Sequence, residues 1–126
     1  MLLLVLVYGA ASLLHFAHNA AYLHEYPNLP ASLTSTGVCA AWCGVAAVGA
    51  LGYWLYRRIS RVAGLLTIAI YGTLGFGGLD HYAVAPIAAH SITMNLTILG
   101  EVAAASALLI FVARLLLHAR PIERRD

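Results

Sequence analysis

Residues 1–23, MLLLVLVYGAASLLHFAHNAAYL, form an apolar run that is long enough to cross a lipid bilayer as a helix. The hydrocarbon core of a bilayer is about 30 Å thick, and about 20 apolar helical residues span it. The run has no basic residues at its start and no clean A-x-A site after it, which is atypical of a cleaved signal peptide. We therefore expect a membrane-spanning helix, although His15 and His18 interrupt its apolar character.

The rest of the chain has the same apolar character. Of its 126 residues, 62% are hydrophobic and only 10% are charged, whereas soluble domains carry about 25% charged residues. The sequence predicts an all-α integral membrane protein, an antiparallel bundle of four transmembrane helices that forms a single domain over residues 1–126. The predicted spans are approximately 1–23, 33–55, 62–79 and 86–117.

The positions of the arginines predict the orientation of this bundle, because positively charged loops remain on the cytoplasmic side. One group lies between the second and third spans, and the other lies at and after the end of the fourth: Arg57, Arg58 and Arg61, then Arg114, Arg120, Arg124 and Arg125. We expect an N-in/C-in protein, in a cell inner membrane. The loops that contain His24 and Asp80 then face the outer, periplasmic side.

Side chains that can bind a metal are concentrated in the predicted outer half of the bundle. At about 1.5 Å per helical residue, His15 lies roughly 12 Å inside the membrane and Glu101 roughly 20 Å inside. Unpaired polar groups are costly at such depths, and the H-x-x-H spacing places His15 and His18 on adjacent helix faces. The predicted metal ligands are His15, His18 and His90, which we expect to approach a common centre. Asp80, His81 and Glu101 are expected to be further ligands or to support the histidines.

Helical periodicity extends this interpretation to the second and fourth spans. Two stripes follow from spacings of three and four residues, one of His90, Met94, Thr97 and Glu101, the other of Cys39 and Cys43. Both stripes are expected to face the bundle interior, because ionisable groups that face lipid cost several kcal/mol. Whether Cys39, Cys43 and Met94 are ligands or packing residues stays open.

Two further segments bear on the site. The glycines of YGTLGFGGLD, residues 71–80, predict close helix packing or a bend that brings Asp80 and His81 towards the first or fourth span. The connection EYPNLP, residues 25–30, is either a plain turn or a lid that holds Glu25 above His18. Tyr26 and Tyr82 are expected to belong to interfacial aromatic belts.

The ligand set predicts a transition metal, with copper as the first choice and zinc as the second, since imidazole suits both and soft sulfur favours Cu(I) or Zn. The preferred function is metal handling at the outer face, within a redox or transport complex. A b-type haem held by two of His15, His18, His81 and His90 is an alternative, and a non-catalytic accessory subunit is another. The expected partners are the bilayer and a larger complex or a homo-oligomer, without nucleic acid. Whether the protein is an enzyme is left open.

Overall fold

The computed structural model describes residues 1–118, and all regular secondary structure in that range is helical. The α-helices are α1 (Leu2–Ala21), α2 (Ser35–Arg58), α3 (Arg61–Leu74), α4 (Asp80–Val84) and α5 (Ile92–His118), and 3₁₀ turns occupy Leu23–Glu25, Gly75–Leu79 and Ile87–Ala89. Because Gly75–Leu79 joins α3 to α4 directly, the described part of the chain has four helices that are long and apolar enough to cross a membrane: Leu2–Ala21, Ser35–Arg58, Arg61–Val84 and Ile92–His118. Arg120, Arg124 and Arg125, which contributed to the predicted orientation, lie outside the described residues.

The long helices form a ring in which α1 packs on α2 and α5, while α3 packs on the same two helices. The tightest pairing is the antiparallel hairpin of α2 and α3. A Cβ atom added to Gly64 would lie 2.2 Å from the backbone nitrogen of Tyr56, and one added to Gly52 would lie 2.9 Å from the side chain of Ile68. Glycine is therefore required at Gly64, where the two backbones touch.

The fourth long helix begins later than predicted, at Ile92 rather than near Pro86. Residues 86–91 instead contain the 3₁₀ turn Ile87–Ala89, and Pro86 and His90 on either side of it have extended backbones. The Ser91 hydroxyl accepts a hydrogen bond from the Met94 backbone N–H at 3.2 Å, which is the usual way to satisfy the first turn of a helix. The predicted stripe is thus wrong at one position: His90 precedes α5 and does not lie on it.

The interior of the bundle changes character along its length. Towards the α2–α3 turn, the interior is an apolar cluster that includes Leu65, Ile68, Leu108 and Val112. Towards the opposite end, it contains buried polar side chains, namely Ser12, His15, Asn19, His81, His90 and Glu101. Large apolar side chains lie on the outside, among them Leu3, Leu14, Ile92, Leu96 and Leu117. This distribution is the reverse of that in a soluble protein.

The glycines at the end of α3 and in the turn that follows bring the helices close together, as the sequence predicted, at three of their four positions. A Cβ atom on Gly72 would meet Leu109, one on Gly75 would meet Tyr8 and Ala105, and one on Gly78 would meet His15 and Glu101, whereas Gly77 lies in open space. No glycine in the described range has a positive φ. These glycines therefore provide space for neighbours and are not needed for an unusual backbone conformation.

Candidate functional site

One face of α1 carries a column of buried polar residues. Tyr8, Ser12, His15 and Asn19 are spaced by four, three and four residues, so they lie on one side of the helix and point into the bundle. Of these residues, His15 was predicted to belong to the site, whereas Ser12 and Asn19 were not. Their spacing from His15 was the signal that could have identified them, because the intervening residues are apolar except for His18.

His15 is paired with Glu101 across the bundle. The Nδ1 atom of His15 and the Oε2 atom of Glu101 form a buried hydrogen bond between α1 and α5. The backbone of Gly78 covers this pair, since a Cβ atom there would lie 3.1 Å from the His15 ring and 3.5 Å from Glu101 Oε2. Two of the predicted site residues, 86 positions apart in sequence, are thus in direct contact.

His81 lies beside this pair. The 3₁₀ turn Gly75–Leu79 continues into α4, and the His81 side chain is buried against α1. The His81 ring centroid is 5.4 Å from that of His15, and its Nε2 atom is 3.3 Å from the amide nitrogen of Asn19. The short turn made by the glycines is what brings His81 to α1.

His90 completes the cluster from the segment that precedes α5. Its extended backbone follows the turn Ile87–Ala89, and its ring lies 6.1 Å from that of His81 between centroids. The Nδ1–H group of His90 donates to the Pro86 carbonyl oxygen at 3.1 Å. The side-chain amide of Asn95 donates to the His90 carbonyl oxygen at 3.2 Å, which fixes the segment on the first turn of α5.

Each of the three buried imidazoles has one nitrogen atom without a partner among the described residues: His15 Nε2, His81 Nδ1 and His90 Nε2. The other nitrogen atom of each ring contacts Glu101, Asn19 or the Pro86 carbonyl, respectively. A side-chain amide can present either its NH₂ group or its oxygen to a neighbour. When Asn19 presents oxygen, His81 donates through Nε2 and its Nδ1 atom keeps a free lone pair.

Tyr26 covers the cluster, which corrects its predicted place in an interfacial belt. The side chain is 4% exposed, its ring lies 4.8 Å from that of His81 between centroids, and its hydroxyl is 2.9 Å from His18 Nδ1. Burial raises the pKa of Tyr26 above its ordinary value, which keeps the hydroxyl protonated and able to donate. The segment 25–30 thus covers the site with Tyr26, while Glu25 is exposed.

The other predicted site residues lie apart from the three imidazoles. His18 is half-buried and contacts Tyr26 and Tyr22, and Asp80 is exposed. Met94 is buried in a cluster with Tyr26 and Ile98.

The expectation that the cysteine stripe faces the interior is wrong, because Cys39 and Cys43 are both exposed on α2. α2 instead turns Val38, Gly49 and Gly52 towards its neighbours. In the part of the chain that the structure describes, no three His, Cys, Asp or Glu side chains form a group that could hold a metal ion.

Comparison with known families, with curated proteins and with solved structures finds no match to this chain.

Proposed function

We propose that this chain is an integral membrane protein that binds a transition metal ion through His15, His81 and His90. The membrane location is supported by the four long apolar helices and by their apolar outer surface, on which Leu14 is 66% exposed and Leu96 68% exposed. Arg57, Arg58 and Arg61 lie together at the α2–α3 turn, which favours a cytoplasmic location for that turn. The imidazoles then lie in the outer half of the bilayer.

The observation that carries the metal proposal is the pattern of hydrogen bonds around the three imidazoles. Histidines that bind a metal almost always donate their other ring N–H to a carboxylate, a carbonyl or water, which fixes the ring and raises its basicity. Glu101 and the Pro86 carbonyl are such partners here, and Asn19 becomes one when its amide oxygen instead of its NH₂ group faces His81 Nε2. Three buried nitrogen atoms therefore remain free, one on each ring. The ring centroids of His15 and His81 are 5.4 Å apart, and those of His81 and His90 are 6.1 Å apart.

Binding requires these rings to turn towards one another. Metal–nitrogen distances in such sites are about 2.0–2.1 Å, so the three free nitrogen atoms have to converge more closely than they do without an ion. We expect this convergence to come from His81 and His90, which lie on the short helix α4 and on the segment before α5. Metal binding then also selects the Asn19 amide orientation that frees His81 Nδ1.

Copper is the preferred ion and zinc the second, because imidazole suits both and a given nitrogen site binds Cu²⁺ more tightly than Zn²⁺. The ring of Tyr26 lies 4.8 Å from His81 and 6.4 Å from His90 between centroids, so a haem would have to displace it. This packing favours a single ion over a porphyrin. Metal handling at the outer face, within a redox or transport complex, is the function that fits best.

The test is elemental analysis with an optical spectrum of the purified protein and of single alanine variants. We expect about one equivalent of copper or zinc per chain, and a loss of most of it in His15→Ala, His81→Ala and His90→Ala. The matched control is His24→Ala, since His24 is an exposed histidine on the same side of the bundle. Circular dichroism confirms that each variant remains helical.

Two results would contradict the proposal. A Soret band in the spectrum would instead support the haem alternative. The absence of any stoichiometric metal or haem, with correctly folded protein, would favour the accessory-subunit alternative.

A further inference from the structure

A basic pocket of about 290 Å³ lies on the surface of α2, at the end of the helix that leads to the α2–α3 turn. Its lining residues are spaced by three and four positions, so they share one face of the helix: Ala50, Tyr53, Trp54, Arg57 and Arg58. Ala50 lies at the apolar end of the pocket, and the two arginines lie at the end of the helix. The pocket therefore changes from apolar to cationic over about two helical turns.

Neighbouring carboxylates do not neutralise the charge of this pocket. The carboxyl side chains of the described residues are those of Glu25, Asp80 and Glu101. Glu25 and Asp80 belong to the segments at the opposite end of the bundle, and Glu101 is buried inside it. Both arginines of the pocket are exposed, and within the described range neither forms an ion pair. The pocket is therefore suited to a ligand that carries a negative charge.

An apolar groove of about 370 Å³ continues from this pocket along the contact between α1 and α2. The pocket and the groove share Ala50 and Tyr53. On α2 the groove extends from Tyr53 back to Trp42, which is about 17 Å along the helix axis. Small residues such as Gly9 and Ala46 line it. A cationic pocket that is joined to an apolar groove matches the two parts of a phospholipid, a charged head group and an acyl chain.

We propose that the pocket and the groove together bind an anionic phospholipid of the inner leaflet, with its phosphate at Arg57 and Arg58 and one acyl chain between α1 and α2. Guanidinium groups bind phosphate through charge-assisted and often bidentate hydrogen bonds. Tyr53 and Trp54 lie one turn deeper, where aromatic side chains contact the head-group region. Basic pockets on the cytoplasmic side of membrane proteins bind anionic head groups. The inference rests on the membrane location and orientation proposed above, and it does not depend on the metal.

The charge of the pocket favours an anionic lipid over a zwitterionic one, although both carry a phosphate. The choline of phosphatidylcholine would bring a cation to two guanidinium groups, and the pocket has no carboxylate to bind it. The glycerol of phosphatidylglycerol is uncharged, so the whole head group keeps its negative charge. We therefore expect phosphatidylglycerol to bind more tightly than phosphatidylcholine.

The test measures how brominated lipids quench the fluorescence of Trp54. Trp42→Phe leaves Trp54 as the only tryptophan of the chain, and the purified protein is reconstituted into phosphatidylcholine bilayers with increasing shares of brominated phosphatidylglycerol. Both leaflets have the same composition, so the result does not depend on the orientation of the protein. We expect phosphatidylglycerol to bind beside Trp54 about tenfold more tightly than phosphatidylcholine, as for a hydrogen bond between charged groups.

Three arginine variants separate a specific site from a general attraction between charges. Arg57→Gln and Arg58→Gln should each lose most of the preference for phosphatidylglycerol. Arg61→Gln should keep it, because Arg61 is an exposed arginine at the same turn that does not line the pocket. Equal loss in all three variants would show a general attraction of anionic lipids to the turn and would overturn the proposal. Equal binding of the two lipids by the parent would also overturn it.

Two alanine variants test the groove in the same assay. Ala50→Leu fills the junction between the pocket and the groove, so it should weaken the binding of phosphatidylglycerol. Ala47→Leu should not, because Ala47 is an exposed alanine of the same helix that lines neither. Circular dichroism confirms that both variants remain helical. Unchanged binding in Ala50→Leu would contradict the place of the acyl chain, and release of the quenching by inorganic phosphate would show a site for free anions; either result would overturn the proposal.

Discussion

Glu101 is an acidic side chain in the middle of an apolar helix, and its surroundings explain how it is tolerated. An ionised carboxylate there is costly unless it is paired and hydrogen-bonded. His15 provides one partner, and Ser12 and Tyr8 are further buried polar residues on the same face of α1. The hydrogen bond also orients the imidazole ring of His15. Glu101, which is distant in sequence, therefore determines the direction in which the free Nε2 atom points.

Replacement of Glu101 separates a structural role from a role in metal binding. Glu101→Gln keeps a hydrogen-bond acceptor for His15 Nδ1–H but removes the negative charge, so we expect metal affinity to fall about 10- to 100-fold while the protein remains folded. Affinity is measured by competition with a chelator, and stability by thermal unfolding. Ser106→Ala is the control, because Ser106 is a polar residue of the same helix that bonds only to the Val102 carbonyl oxygen in the described structure. Unchanged affinity in Glu101→Gln would reduce Glu101 to a structural hydrogen bond.

At the scale of secondary-structure elements, the short segments between the long helices build the site. Gly75–Leu79 and α4 carry His81 to α1, and Ile87–Ala89 carries His90 to His81. Asn28, whose φ is 57°, donates through its side chain to the Val84 carbonyl oxygen at 2.9 Å. This bond ties the segment that contains Tyr26 to the end of α4.

Gly77 and Gly78 provide a matched pair for testing this arrangement. Gly78→Ala places a methyl group 3.1 Å from the His15 ring, so the ring has to move. Overpacking of this kind costs about 1–3 kcal/mol, and we expect both a lower unfolding temperature and weaker metal binding. Gly77→Ala, with no neighbour within 4 Å of the new methyl group, should change neither. Thermal unfolding and chelator competition on both variants make the comparison, and equal behaviour of the two would show that Gly78 does not support the His15–Glu101 pair.

The parts of this arrangement differ in how far they could be predicted from sequence. The lengths of the hydrophobic runs predicted the long helices, because an apolar run of about 20 residues is long enough to cross a bilayer as a helix. Periodicity placed His15 and Glu101 on interior faces but not in contact with each other, since such a contact depends on how α1 and α5 pack. It failed at His90, because the helix was predicted to begin at about Pro86, whereas α5 begins at Ile92. It also missed Tyr26, because a residue in a loop has no period to indicate its direction.

At the scale of the whole molecule, the buried polar cluster lies towards one end of the bundle and the arginine-rich turn towards the other. His15, Asn19 and His81 lie near the end of α1 that leads to the loop around Asn28. Arg57, Arg58 and Arg61 lie at the opposite turn, between α2 and α3. This polarity links the proposed orientation to the proposed function, because the orientation decides which compartment can supply the metal.

Cysteine labelling tests this orientation. Cys39 and Cys43 are exposed and free, so replacing both with alanine should give a stable background without reactive thiols. Single cysteines are then introduced at Ala31, in the loop after α1, and at Ile59, in the turn between α2 and α3; both positions are exposed. We expect a membrane-impermeant maleimide to label Ala31→Cys in intact spheroplasts and to label Ile59→Cys only after the membrane is permeabilised, because the neighbouring arginines hold that turn on the cytoplasmic side. In intact spheroplasts, labelling of Ile59→Cys but not of Ala31→Cys would reverse the orientation and make the imidazole cluster accessible from the cytoplasm. Labelling of both positions before permeabilisation would contradict a membrane-spanning hairpin.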